Sequence, residues 1–419
     1  ELVVGHDMRD SSPGFAEAFA LGATKRGANV VMLGLCSTDM SYYASGTLDV
    51  PAAMFTASHN PASYNGIKFS RAGARGISLD TGLAAIRDRA SAYFETGIDE
   101  LTQGTIRQLD VMPGYVEYLN QLVPLQGSKK LKIVVDTANG MGGLTVPAVL
   151  GNNPGLEIVE LYFDLDGSFP NHEANPLDPK NLVDLQAKVL EVGADLGLAF
   201  DGDADRCFAI DELGQAVTPS AVAAIVAKRE IARVQALGEA SPTVLHNLLT
   251  SRAVAEVIEA AGAKAVRTKV GHSLIKDQMA TTGAVFGGEH SAHYYFRDFW
   301  FADSGMLAAL HVLRAVADSG SPMSLLTQRF ALYVRPMSVL YGKGMTMSKQ
   351  QVIRQGPVKI TRAVIDAAWK NRAPAHRTII SDADCRGLAL IVNATSMAWR
   401  FEYKPRGVDP LTGKRFASR

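Results

Sequence analysis

The stretch LKIVVDTANGMGGLTVPAVL, residues 131–150, decides the fold class of this chain. Its first residues predict a strand, its glycines a turn, and the apolar residues after them a helix. A further strand over 156–167 and a helix and strand over 181–206 continue the pattern. Strand, helix and strand in this order predict an α/β unit with a parallel or mixed sheet.

The same alternation precedes this unit, in residues 2–58, and follows it, in residues 242–293. The similarity between the three units is one of pattern and not of sequence. We therefore predict three successive α/β domains with mixed sheets around a central cleft, followed by a small α+β C-terminal segment. The expected ranges are 1–110, 111–212, 213–333 and 334–419.

The composition is that of a globular protein of 419 residues, 47% hydrophobic and 20% charged. No run of about 18 uncharged apolar residues occurs, so no membrane span is expected, and no signal peptide is recognised. Cys36, Cys207 and Cys385 lie far apart, which argues against a disulfide framework and against a cysteine-based metal site. The sequence thus predicts a cytoplasmic protein.

Each predicted unit places its most polar loop after a strand, where open α/β sheets bind their ligands. The loops are TASHNPASYNGIK (56–68), DGDADR (201–206) and GGEHSAH (287–293). The first carries a hydroxyl, an imidazole, two amides and a lysine, with almost nothing apolar. This composition fits an ordinary turn as well as a catalytic loop, and composition alone leaves both readings open.

The second loop carries three carboxylates at a spacing of two, Asp201, Asp203 and Asp205. Alternate residues of an extended loop point the same way, so these carboxylates repel one another unless a cation neutralises them. Hard oxygen ligands at this density suit Mg²⁺, whereas an EF-hand for Ca²⁺ needs further oxygens and a closing Glu. Arg206 beside them suits a phosphate. The alternative is a solvated acidic turn.

A Mg²⁺ site together with Ser58 indicates phosphoryl transfer, because the metal would withdraw electron density from a phosphate on the serine. Lys68 is a candidate acid or base, since lysine shifts its pKa readily when it is desolvated. An ordinary surface lysine is the alternative. In the third loop Glu289, Ser291 and His293 alternate, and their carboxylate, hydroxyl and imidazole suit the hydroxyls of a sugar.

The three loops, with VGH at 270–272, resemble those of the α-D-phosphohexomutases, most closely the phosphomannomutase/phosphoglucomutase branch, over about residues 1–333. The resemblance implies that hexose 1-phosphate and hexose 6-phosphate, of mannose or glucose, interconvert through a phosphoserine and a bisphosphate intermediate. It also implies hexose 1,6-bisphosphate as activator. The implied site residues are Ser58 as phosphoryl carrier, Ser58, Asp201, Asp203 and Asp205 for Mg²⁺, Lys68 and His59 at the reacting centre, Arg9 and Arg206 beside the phosphoserine, and Glu289, Ser291, His293 and His272 for the sugar.

The sequence departs from this family at both ends. It begins without the family's Tyr-Asp-x-Arg-Gly motif, so we expect an N-terminally truncated first domain. It contains no Arg-x-Ser-Asn-Thr-Glu-Pro loop, which in the family binds the phosphate that is not transferred, so we expect impaired activity. A chimeric or incomplete gene product is an open alternative.

The C-terminal stretch from residue 334 onwards is basic, with 16 Lys and Arg against 5 Asp and Glu. Its predicted helix and its strands GLALIV and AWRFEYK loosely resemble the N-terminal arm-type DNA-binding domain of tyrosine phage integrases. The resemblance implies a nucleic-acid partner, which the charge supports. Trp399, Phe401 and Tyr403 alternate there with Arg400 and lie next to Lys404. A degenerate fourth mutase domain and an inert basic tail are the alternatives.

Overall fold

The computed structural model describes residues 1–99, 101–125 and 129–328, and four strands further on, 351–358, 376–382, 388–392 and 397–401. The chain divides into two compact units, Glu1–Arg335 and Pro336–Arg419. Within the described residues, no helix combines the length and the apolar character that crossing a membrane requires.

The first domain of the large unit is built on a six-stranded sheet. Its elements are β1 Leu2–His6, α1 Ser12–Lys25, β2 Val30–Leu35, α2 Thr38–Leu48, β3 Ala52–Phe55, β4 Ile67–Arg71, β5 Arg75–Gly76, a π-helical turn Leu79–Leu83, α3 Ala84–Thr96 and β6 Ile106–Gln108. The strand order is β5-β4-β3-β1-β2-β6. β1 runs parallel to β2 and β3, whereas β4 runs antiparallel to β3.

The second domain has a five-stranded sheet in the order β11-β10-β9-β7-β8. Its elements are α4 Met112–Leu122, β7 Leu131–Asp136, α5 Gly142–Leu150, β8 Leu156–Leu161, a 3₁₀ helix Pro179–Leu182, α6 Val183–Val192, β9 Leu196–Phe200, β10 Cys207–Asp211 and β11 Ala216–Val217. β7 runs parallel to β8 and β9, and β10 runs antiparallel to β9.

The third domain repeats the arrangement with the order β13-β12-β14-β15-β16. Its elements are α7 Pro219–Ala236, β12 Thr243–Asn247, α8 Arg252–Ala260, β13 Lys264–Thr268, α9 His272–Thr282, β14 Phe286–Gly288, β15 Tyr294–Phe296, a 3₁₀ helix Arg297–Phe299, β16 Ala302–Asp303, α10 Gly305–Ser319 and α11 Met323–Thr327. β12 runs parallel to β13 and β14, and β15 runs antiparallel to β14.

The three sheets share a common five-strand arrangement, to which the first adds β6, and this confirms the prediction of three α/β domains with mixed sheets. In each sheet a central strand lies between two parallel partners, and one of these is followed by an antiparallel strand. The turn at that reversal joins β3 to β4, β9 to β10 and β14 to β15. These turns are the three polar loops singled out in the sequence, so the loops occupy equivalent positions in the three domains.

Local sequence chemistry sets the ends of the helices. The side chain of Thr218 accepts a hydrogen bond from the backbone N–H of Ala221, and Pro219 opens α7. Helix α2 was not predicted, because its Thr, Ser and Gly residues are weak helix formers. It begins at the N-cap Ser37, whose side chain accepts from the N–H of Met40, and it ends at Asp49 in the left-handed conformation.

Helix α2 lies where all three domains meet. Its Tyr43 contacts the rings of Tyr115 and Trp300 edge to face, and Trp300 stacks on Tyr118 with ring centroids 5.2 Å apart. A Cβ atom at Gly46 would lie 2.2 Å from Cδ2 of Trp300. The glycine therefore allows the third domain to pack against the first.

We expect Gly46→Ala to destabilise the protein by about 1–3 kcal/mol through overpacking. Alanine normally stabilises a helix relative to glycine by about 1 kcal/mol, so the expected sign is opposite to the helix propensity. Urea unfolding measures the change. Gly22→Ala in α1 is the matched control, because nothing lies within 4 Å of the added carbon there. A gain in stability for both variants would contradict the packing argument.

The C-terminal unit contains a four-stranded sheet in the order β17-β18-β19-β20. Strands β17 and β18 are parallel, and the remaining pairs are antiparallel. The bounds are β17 Gln351–Val358, β18 His376–Asp382, β19 Leu388–Val392 and β20 Met397–Phe401. The strand expected over GLALIV overlaps β19, and the one expected over AWRFEYK overlaps β20 at residues 398–401. The helix expected before these strands falls outside the described residues, as do Cys385, Tyr403 and Lys404.

Candidate active site

The three equivalent turns line one cavity of about 360 Å³ in the large unit. The first turn contributes Ser58, the second Arg206 and the third His293, and Lys68 reaches the cavity from β4. A second lysine, Lys276 of α9, lines it as well. The cavity therefore collects polar groups from all three domains, as expected for ligands at the carboxyl ends of strands in α/β sheets.

Ser58 lies at the tip of the first turn with its backbone in the left-handed region, at φ 50°. Its hydroxyl donates a hydrogen bond to Oδ2 of Asp201 at 2.8 Å and accepts one from Nη2 of Arg206 at 2.9 Å. Nδ1 of His59 lies 3.3 Å from the same oxygen. The hydroxyl is thus held between an acidic and a basic group at the edge of the cavity.

The acidic loop brings its three carboxylates together, but not in the extended conformation that we predicted. Asp201 to Asp205 form a turn, with Ala204 in the left-handed region at φ 61°. Carboxylate oxygens of Asp201, Asp203 and Asp205 nevertheless lie within 4.8 Å of one another. All three side chains are fully buried, which excludes the alternative of a solvated acidic turn.

The acidic turn fits a divalent cation. Oδ1 of Asp203 and Oδ1 of Asp205 are buried and accept no hydrogen bond from the part of the chain that the structure describes. Buried acceptors are almost always satisfied, so these two oxygens are open to a cation or a water molecule. The donor set consists of hard carboxylate oxygens with a serine hydroxyl nearby, which suits Mg²⁺ better than a transition metal.

Lys68 contacts the same carboxylates. Its Nζ lies 2.6 Å from Oδ2 of Asp203 and 2.6 Å from Oδ2 of Asp205. Burial by itself disfavours the charged ammonium, but the two carboxylates outweigh burial and hold the pKa of Lys68 well above its ordinary value. Lys68 is therefore an ammonium beside these carboxylates.

Arg206 connects the serine, the acidic turn and His59. Its side chain is 2% exposed, and its Nε donates to Oδ2 of Asp201 at 2.8 Å. Its Nη2 also contacts Nδ1 of His59. Burial, together with the charge of Arg206, lowers the pKa of His59 to about 4, so the imidazole is neutral near pH 7.

Arg9 lies behind the serine turn and not at the serine hydroxyl, where the resemblance had suggested support for a phosphate. Its Nε donates to Asp7, and its Nη1 and Nη2 donate to four backbone carbonyls at 2.7–3.1 Å. Those carbonyls belong to Ser58, Asn60, Pro61 and Tyr64. Four of the five N–H groups of the guanidinium therefore shape the serine turn, and the fifth fixes the guanidinium to Asp7.

The third turn holds its predicted residues close together by a reversal of the chain and not by alternation. Ala292 is in the left-handed region at φ 65°, and the N–H of Glu289 donates to the carbonyl of His293. Oγ of Ser291 lies 3.0 Å from Nδ1 of His293, whose Nε2 lies 3.8 Å from Oδ1 of Asp205. This turn thus reaches the acidic turn.

Two residues that the sequence analysis missed orient Glu289. Nδ2 of Asn247 donates to Oε1 at 3.0 Å, and the hydroxyl of Tyr295 donates to Oε2 at 2.8 Å. Glu289 is 3% exposed. Asn247 ends β12 and is 42 positions away, so no local spacing marks it. His272 begins α9, and its side chain lies outside the described residues.

Three α/β domains that each give one polar turn to a shared cavity define a multidomain α/β enzyme. Family models for the phosphoglucomutase/phosphomannomutase α/β/α domains I, II and III match residues 1–96, 113–214 and 218–333. The chain belongs to the phosphoglucomutase/phosphomannomutase family. It is accordingly a phosphohexose mutase.

Individual relatives agree with this assignment. The chain is 38% identical to a protein of Xanthomonas campestris pv. campestris described as a phosphohexose mutase, over 78% of this chain and 71% of the relative. It is 37% identical to a phosphomannomutase of Escherichia coli K12, over 75% and 69%. The crystal structure of a phosphoglucomutase/phosphomannomutase family protein from Burkholderia thailandensis matches with a TM-score of 0.69 and 30% identity, over 78% of this chain and 70% of that one.

Proposed function

We propose that this chain interconverts the 1-phosphate and 6-phosphate of mannose, glucose or both through a phosphorylated Ser58. The observation that carries the proposal is the position of the Ser58 hydroxyl, hydrogen-bonded to Asp201 and Arg206 at the edge of the cavity. The serine gives its phosphoryl group to the free hydroxyl of the sugar phosphate, which yields a bisphosphate. The bisphosphate turns round and returns its other phosphoryl group to the serine.

In this proposal, separate residues of the chain bind the metal ion, bind the phosphate and transfer the proton. Asp201, Asp203, Asp205 and Ser58 would hold Mg²⁺, which when bound neutralises charge that develops on the transferred group. Arg206 stabilises the phosphate on Ser58. Lys68 passes the proton: its ammonium donates to the oxygen that loses the phosphoryl group, and the amine so formed takes the proton that the attacking sugar hydroxyl releases.

The sugar is assigned to the third turn. Glu289, Ser291 and His293 offer a carboxylate, a hydroxyl and an imidazole, which bind sugar hydroxyls in either orientation of the substrate. His272, at the start of α9, is proposed to bind the substrate as well. Hexose 1,6-bisphosphate is the proposed activator, because it phosphorylates an unmodified Ser58.

The proposal is tested by measuring hexose 6-phosphate formed from mannose 1-phosphate and from glucose 1-phosphate, with Mg²⁺ and bisphosphate present. Turnover with one or both sugars is expected, and the ratio of the two kcat/KM values gives the preference. The absence of turnover with both sugars, in protein that is folded and carries phosphate on Ser58, would rule out the mutase reaction for this chain.

We further propose that the reaction is slow and leaks phosphate. The 419 residues contain no Arg-x-Ser-Asn-Thr-Glu-Pro motif, and each charge-assisted hydrogen bond lost from the distant phosphate weakens binding by roughly 1.5–3 kcal/mol. Two lost bonds correspond to about two to four orders of magnitude in rate. We expect inorganic phosphate to accompany hexose 6-phosphate, in an amount that added bisphosphate reduces. A kcat near the enzyme median of roughly 10 per second, without phosphate release, would contradict this expectation.

A second candidate function is a leaky mutase remnant joined to a nucleic-acid-binding module. It is favoured by the excess of basic residues from position 334 onwards and by the aromatic and basic residues Trp399, Arg400 and Phe401 on β20. Binding of the full chain to a labelled DNA duplex, measured as salt is raised, tests it. Binding through phosphates weakens steeply with salt, and no measurable binding at low salt would exclude this function.

A further inference from the structure

Phe169, in the loop that follows β8, covers the guanidinium of Arg9. Its ring centroid lies 5.1 Å from Cζ of Arg9, and only 8% of the residue is exposed. A cation over an aromatic face is attracted by the ring, and more strongly where water is excluded. The backbone of Phe169 has φ 53°, a left-handed conformation that is unfavourable for a bulky residue.

The same loop also contacts the backbone of Arg9. A Cβ atom at Gly167 would lie 2.6 Å from Cα of Arg9, so a glycine is required for this approach. Phe169 packs with Ala138 and Ala174 of its own domain and with Met8 of the first domain. Both apolar contacts and the guanidinium therefore hold the ring in place.

These contacts cross a domain boundary at the reacting groups. Arg9 and Ser58 belong to the first domain, whereas Phe169 and Asp201 belong to the second. Arg9 donates to the carbonyl of Ser58 at 2.8 Å and to three further carbonyls of the serine turn. A shift of Arg9 therefore moves the serine relative to Asp201, whose carboxylate accepts the serine hydroxyl at 2.8 Å.

We propose that Phe169 is a positioning residue for phosphoryl transfer. It acts through Arg9 to keep the Ser58 hydroxyl within hydrogen-bonding distance of Asp201 in the acidic turn. Ser58 and Phe169 both keep left-handed backbones, at φ 50° and 53°. Residues persist in such conformations only where their surroundings fix them, and they concentrate at functional sites. The inference rests on the proposed function for its catalytic consequence, but not for the physical contact.

The test compares Phe169→Leu with Phe169→Tyr in the full chain. Leucine keeps an apolar side chain but removes the aromatic face, whereas tyrosine keeps that face. Phe169→Leu should lower kcat about 10- to 100-fold, since misplacement of a reacting group by about 1 Å costs a factor of this size. KM for the sugar phosphate should change by less than about threefold, because the sugar-binding turn is in the third domain. Phe169→Tyr should keep kcat within about threefold of that of the unmodified chain.

Hydrogen exchange of the serine turn provides a measurement that does not depend on turnover. In Phe169→Leu the amides of residues 57–66 should exchange at least about tenfold faster, while those of the third domain keep their rates. Phe296→Leu is the matched control, a buried phenylalanine of the third domain that is 2% exposed. It should lower stability without changing exchange in the serine turn or kcat.

Each outcome decides a separate point. Unchanged exchange in the serine turn of Phe169→Leu overturns the inference, whatever the activity. Faster exchange with an unchanged kcat also overturns it, because the contact would then not position the serine. If the unmodified chain shows no mutase turnover, the proposed function is refuted. Faster exchange in Phe169→Leu would still establish the contact between Phe169 and Arg9.

Discussion

Replacement of Ser58 by alanine should abolish covalent phosphate uptake and reduce mutase turnover by several orders of magnitude. The hydroxyl is the group that would carry the phosphoryl group, and a route through a covalent intermediate has no substitute nucleophile at this position. Intact-mass measurement after incubation with glucose 1,6-bisphosphate should show one added phosphate on the unmodified chain and none on Ser58→Ala.

The control for this experiment is Ser63→Ala, in the same turn. Ser63 is exposed, so its removal should leave phosphate uptake unchanged. Equal labelling of Ser58→Ala and the unmodified chain would show that phosphate is carried elsewhere, and the assignment of Ser58 would be wrong.

Asp203→Asn should remove most activity and weaken Mg²⁺ binding by about tenfold or more, because one charged ligand is lost from a hard-oxygen site. Burial alone would raise the pKa of Asp203, but the Lys68 ammonium and the Thr38 hydroxyl lower it, so this carboxylate is ionised and available to a cation. Titration calorimetry with MgCl₂ measures the loss directly, independently of turnover.

Asp184→Asn is the matched control in the same domain, since Asp184 is exposed and accepts a hydrogen bond from the hydroxyl of Tyr162. It should leave Mg²⁺ affinity unchanged. If Asp203→Asn binds Mg²⁺ as tightly as this control does, the acidic turn is not the metal site.

Much of the fold could be predicted because each domain repeats a local pattern. Apolar strands, glycine-rich turns and amphipathic helices follow one another along the chain, and polar loops mark the strand ends. The residues of the candidate site could be predicted for the same reason, since Ser58, Asp201 to Asp205 and Glu289 lie in compact polar loops.

What the sequence could not show depends on contacts between distant residues. The carboxylates converge through a turn with Ala204 in the left-handed region, whereas spacing alone suggested an extended chain. Arg9 shapes the serine turn from 49 positions away, and Asn247 and Tyr295 orient Glu289 from two different strands. Such pairings leave no local periodicity, because each forms only once distant segments of the same domain have been brought together.

The three equivalent turns have a consequence for the order of folding. Each sheet is formed within one continuous stretch of chain, so its strands and helices can assemble from contacts close in sequence, which form quickly. The cavity, in contrast, is completed by Arg206, Lys276 and His293 only when the domains associate, and domain docking takes milliseconds to minutes. During refolding, circular dichroism should therefore recover before phosphate transfer does. The interval between the two signals then measures the rate at which the three folded domains dock.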